Sequence, residues 1–136
     1  MDTQPLALNT NWKERDRIIF GKSVEYGGGI CHFQDMTLDT LRELIAKGYA
    51  DPEGQQNDSP MTEELADLMA RHPGLTAHGY VVSFERDDYR VSVEGVSGIV
   101  KHTEDLLDVL HLCRMADEFD VESDFSVGFK IRAWWD

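Results

Sequence analysis

Apolar residues recur at every second position in two stretches of this chain. Tyr80, Val82 and Phe84 alternate before Asp87-Asp88, and Tyr89, Val91 and Val93 alternate after it, with Arg90, Ser92 and Glu94 between them. Near the carboxyl end Phe125, Val127, Phe129 and Ile131 alternate against Ser126, Gly128, Lys130 and Arg132. Successive strand side chains point to opposite faces, so each run reads as a half-buried strand of an antiparallel sheet. Gly95 to Lys101 adds a further short strand. Upstream, Ile18, Phe20, Val24 and Tyr26 share a parity from Arg17 onward, with Lys22 as the exception, and predict another strand. Gly27-Gly28-Gly29 then permits a tight reversal at positive φ into a strand from Ile30 to Gln34.

Helical spacing fills the gaps. Leu38, Leu41, Leu44 and Ile45 form one apolar stripe, capped by Thr37 or Asp35 and closed by Gly48. Ser59-Pro60 announces a second helix with Met61, Leu65, Leu68 and Met69 as its buried stripe. Thr103 caps a third, roughly Glu104 to Glu118, with Leu106, Val109, Leu110, Cys113 and Ala116 on its core face. The expected order is ββαα-βββ-α-β: a single α+β domain, mainly antiparallel sheet, with about three helices packed on it. Residues 1–11, polar and without a period, read as a flexible segment before a domain spanning 12–136. A chain of 136 residues buries about two-thirds of its unfolded surface as one domain.

The formal charge is −13, from 26 acids and 13 bases. Its distribution is uneven. Residues 51–70 hold no base and six acids, Asp51, Glu53, Asp58, Glu63, Glu64 and Asp67. Residues 102–124 hold Arg114 against Glu104, Asp105, Asp108, Asp117, Glu118, Asp120, Glu122 and Asp124. These two blocks, net −6 and −7, carry the whole imbalance. Phosphate backbones and anionic lipid repel such a chain, so direct contact with nucleic acid or membrane is disfavoured. No apolar run approaches the ~18 residues of a membrane span, and the amino terminus lacks the pattern of a secretory signal. Two cysteines, Cys31 and Cys113, do not make a disulfide framework. A cytoplasmic protein with reduced thiols is the expectation.

Catalytic signatures are weak. Cys31 and His32 are adjacent in a strand and point to opposite faces, so they cannot form a dyad together. A nucleophilic Cys31 would need a distant histidine such as His78 or His102. The glycine triplet is followed by strand residues, whereas a phosphate-binding loop opens a helix. Five histidines and two cysteines share no metal-ligand spacing. Asp120, Glu122 and Asp124 imitate the start of a calcium loop, but Phe125 stands where the glycine belongs and Ile131 where the bidentate glutamate belongs. No catalytic residue, metal ligand or cofactor is assigned. Of Trp134-Trp135, one indole is expected to cap the core, and an exposed Trp135 would serve as an interface anchor.

The charge blocks therefore lead the functional reading. If the fold joins them, Asp51, Glu53, Glu63, Glu64, Asp67, Glu104, Asp108, Asp117, Glu118, Asp120, Glu122 and Asp124 form one anionic surface. Glu118 to Asp124 would continue the edge that Glu104 and Asp108 begin. Their mutual repulsion would be relieved by a basic protein, including one that itself binds nucleic acid. Acidic inhibitors, immunity proteins and DNA mimics of the anti-restriction or anti-CRISPR kind use the same physics; the analogy is one of charge. A small enzyme or ligand-binding domain with a site near Cys31, His32 and His78 is the alternative. Homodimerisation through a Trp-bearing edge strand is a third.

Overall fold

The structure, a computed structural model, describes residues 11–136 apart from Asp87, Tyr89 and Phe125. The expected flexible segment therefore lies outside the described residues, except for Asn11. Among the described residues four helices and five strands follow in the order α1 (Trp12–Phe20), β1 (Ile30–Met36), α2 (Leu38–Ala46), α3 (Thr62–Arg71), β2 (Leu75–Val82), β3 (Val91–Val100), α4 (Thr103–Leu112), β4 (Glu118–Asp124) and β5 (Gly128–Trp134). They build a single α+β domain on one antiparallel sheet of order β1-β2-β3-β5-β4.

Cross-strand register divides the sheet into two faces. The row Met36–Ala77–Val96–Ala133–Phe119 lies on one of them, with Val81, Val91, Val100 and Ile131. It packs against Leu41 and Leu44 of α2, Leu65 and Leu68 of α3 and Val109 of α4. The rows Thr76–Ser97–Arg132–Asp120 and His78–Gly95–Trp134–Glu118 lie on the other face, which no helix covers among the described residues. Arg132 and Asp120 are exposed there, whereas the Tyr80 and Ser92 hydroxyls donate to Gln56 Oε1 of the loop before α3.

α2 forms as its stripe predicts. The Thr37 hydroxyl accepts the Thr40 N–H at 3.3 Å, and Gly48 follows the helix at φ 81°. The glycine triplet also turns as expected, with Gly28 and Gly29 at φ 65° and 84°. α3 starts later than Ser59-Pro60 suggests. The loop before it folds back, so that Gly54 and Pro52 carbonyls accept the N–H groups of Thr62 and Glu63. Glu64 reaches back to the Met61 N–H at 3.0 Å.

Among the departures from the sequence pattern, three change the order of elements. The strand expected from Arg17 is the end of helix α1. Its fully buried residues are Arg15 and Asp16, while Ile18, Ile19 and Phe20 are only partly buried against the core, and charged residues at the buried positions conceal a helical period. The Arg15 guanidinium donates to Asp16 Oδ1 at 2.9 Å, to the Val82 carbonyl at 3.1 Å and to the Tyr26 hydroxyl at 2.5 Å. That hydroxyl donates to Asp16 Oδ2 at 2.5 Å. Burial, then the Asp16 hydrogen bond, holds the Tyr26 phenol far above its ordinary pKa. It stays a neutral donor. Second, α4 ends at Leu112, and Glu118 onward is strand β4 rather than helix edge and acidic turn. Third, Gly95 to Val100 continues β3 without a break.

β3 can run through because it contains a bulge. Gly79 pairs with Val93 but His78 pairs with Gly95, which leaves Glu94 as the extra residue. The bulge changes the parity of the strand. Val91 and Val93 face the helices before it, and Val96 and Val100 do so after it.

Candidate functional site

Two surfaces bear on function: the helix-free face of the sheet, and the exposed acids. On the sheet face a shallow depression of ≈ 460 Å³ is lined by His32, His78, Glu94, Glu118, Arg132 and Trp134 among others. The bulge aims Glu94 into it. Trp134 Nε1 donates to Glu94 Oε2 at 3.1 Å, and His32 Nδ1 lies 3.8 Å from Glu94 Oε1. His78 lies over Gly95, where a Cβ would come within 2.7 Å of its Cε1. Desolvation, then the Arg132 charge, lowers the His78 pKa, and the nearby Ala133 carbonyl offsets this only in part. His78 is therefore a neutral imidazole at pH 7.

Cys31 does not line this depression. It is registered with Val81, on the face opposite His32 and Tyr80. Burial, then the negative charge of Asp16, raises its thiol pKa. Burial also pushes Cys113 up to about 12. Neither thiol is activated, because nucleophilic cysteines need the opposite shift. The site imagined around Cys31, His32 and His78 thus separates into two histidines on one face and a thiol on the other. Among the described residues no three His, Cys, Asp or Glu side chains are grouped to hold a metal ion. Labelling with a thiol reagent should find Cys31 slow below about pH 8 and Cys113 protected until the protein unfolds. Rapid labelling of Cys31 near neutral pH would restore the catalytic alternative.

On the helix side the two blocks are linked through Arg71 and His72, which both contact Asp108. Along α3, Glu63, Asp67 and Arg71 stand at successive i,i+4 positions, about 6 Å apart. Arg71 Nε donates to Asp108 Oδ2 of α4 at 2.9 Å, and His72 Nε2 lies 2.6 Å from the same oxygen. Glu104 precedes Asp108 by one turn. A row therefore runs Glu63, Asp67, Arg71, Asp108, Glu104 across two helices. The Arg71 hydrogen bond foremost, with His72 assisting, holds the Asp108 carboxyl below its usual range. Asp51 and Glu53 sit in the loop over the start of α3, where Asp51 accepts the Glu53 N–H. Glu64 is half-buried in its capping contact.

The remaining acids are elsewhere. Glu118, Asp120 and Glu122 lie on the helix-free face, in register with Trp134, Arg132 and Lys130. They do not continue the edge begun by Glu104 and Asp108. Strand pairing also gives them bases that a count along the chain misses: Arg132 lies 3.6 Å from Glu118 and 3.8 Å from Asp120. Asp117 accepts the Asp136 N–H at 2.7 Å. Asp124 pairs with Gly128 in the backbone register, and its side chain lies outside the described residues. A single surface of twelve carboxylates does not form.

The chain matches no family model, no curated protein and no solved structure. Its site must therefore be read from its own chemistry. Two expectations about tryptophan are corrected on that basis. Trp135 is 0% exposed and belongs to the core, so its ring is not available as an interface anchor. The Trp-bearing strand β5 lies between β3 and β4 and is not an edge. Glu94 and Arg132 were not singled out in the sequence, although a glycine inside a strand pattern, here Gly95, signals a bulge. Among the described residues no helix is long and apolar enough to cross a membrane.

Proposed function

We propose that this chain is a protein-binding module that docks a basic partner through its acidic surface, acting in the cytoplasm. One observation carries the reading. Glu53, Glu63, Asp67 and Glu104 are exposed on the helix side, and none of them forms an ion pair among the described residues. Arg71, the base within that row, is already taken by Asp108. Exposed, uncompensated carboxylates create a negative potential that attracts cations and speeds encounter with a basic surface. They repel nucleic acid, so a partner that handles nucleic acid would be bound as a protein, in the manner of an inhibitor or mimic.

The test is capture of partners from the native host, followed by titration of each purified candidate. The triple variant Glu63→Lys, Asp67→Lys, Glu104→Lys leaves the capped and paired acids alone. It should weaken binding by about tenfold or more, mainly by slowing association, and wild-type affinity should fall as salt rises. Partners of neutral or acidic charge, or an affinity indifferent to both salt and the triple variant, would refute the proposal.

A further inference from the structure

β4 is the terminal strand of the sheet, and among the described residues no backbone group pairs with its outer edge. An edge strand leaves alternate N–H and C=O groups free to receive another strand. The two sides of β4 are chemically distinct. Glu118, Asp120 and Glu122 project on the open face. Val121, in register with the buried Ile131, projects on the helix side, yet it is 41% exposed because the helical layer stops short of it. The connection into the strand carries a second uncovered apolar side chain, Met115.

We propose that the free edge of β4 accepts an extended segment of a partner protein as a sixth strand, in which basic residues alternate with apolar ones. This goes beyond the reading given above, at a second acidic site, and shares its premise of a basic partner. A strand added here places every second side chain beside Glu118, Asp120 and Glu122, where lysine or arginine would pair across the strands. The intervening side chains fall beside Val121, where an apolar group would cover it. Main-chain hydrogen bonds supply affinity, and the alternation supplies specificity. Charge also excludes the other obvious occupant. Antiparallel pairing of two copies centred on Val121 would set Asp120 directly opposite Glu122, twice over, and like charges opposite each other are destabilising. The same acids that prevent self-pairing select a basic strand.

The experiment uses the whole chain and two synthetic peptides of identical composition, one alternating lysine and valine, the other with lysines and valines in separate blocks. Binding is followed by NMR titration and amide hydrogen exchange. The alternating peptide should bind at least about tenfold more tightly and slow exchange at outward-pointing amides of β4. Val121→Lys should cost about tenfold for the alternating peptide while leaving the unfolding midpoint within a few degrees of wild type. If both peptides bind equally without protecting β4, strand addition is wrong and the acidic-surface reading survives. If neither binds at low salt, strand addition falls, and the helix-side reading is decided by the triple variant. Protection of β1 in place of β4, or of β4 in a dimer of the chain alone, would also overturn the proposal.

Discussion

Replacing Asp16 by alanine is expected to destabilise the protein by about 3–5 kcal/mol, because it removes the buried carboxylate that accepts from both the Arg15 guanidinium and the Tyr26 hydroxyl. Arg15 is 0% exposed, so water cannot take the place of the lost carboxylate. Tyr26 loses its acceptor in the same step, since its hydroxyl donates to Asp16 Oδ2. The measurement is urea unfolding followed by circular dichroism. The double variant Arg15→Met, Asp16→Leu removes both charges together and should recover much of the loss, as expected where desolvation dominates. A loss below about 1 kcal/mol for Asp16→Ala would show that the cluster is hydrated in solution, with α1 not docked as described.

The second large effect concerns the paired tryptophans. Trp135→Ala should cost about 3–5 kcal/mol, the usual penalty for emptying the space of a buried aromatic side chain. Trp134→Ala should cost much less, about 1 kcal/mol, since it removes a partly exposed ring and one hydrogen bond to Glu94. Thermal unfolding of the two variants side by side checks the contrast. Equal and small losses would mean that Trp135 is not core, and would return it to candidacy as an interface anchor.

The fold class could be read from sequence because it rests on periodicity. Leu41, Leu44, Leu65 and Leu68 repeat at helical spacing, Val91 and Val93 at strand spacing, and all are buried where those patterns put them. α1 could not be read, because its fully buried side chains are charged and their partners include Tyr26 and the Val82 carbonyl, 11 and 67 residues on. The acidic surface was legible in part for a related reason. Counting charge along the chain singled out Glu63, Asp67, Glu104 and Asp108. It could not show that Arg71 sits in their midst, or that Lys130 and Arg132 stand beside the β4 acids across a hairpin. Charge on a helix is local in sequence, whereas charge on a strand is set by the neighbouring strand.

The single extra residue at Glu94 has a consequence for how this protein tolerates change. Val91 and Val93 are odd-numbered, Val96 and Val100 even, and both pairs reach the same interior only because one position between them is skipped. The count of residues across this stretch is thus as binding as their identity. Polar exchanges at Ser92 or Ser97 preserve that count, whereas removing one residue there would turn half the strand inside out and bring its valines to the surface.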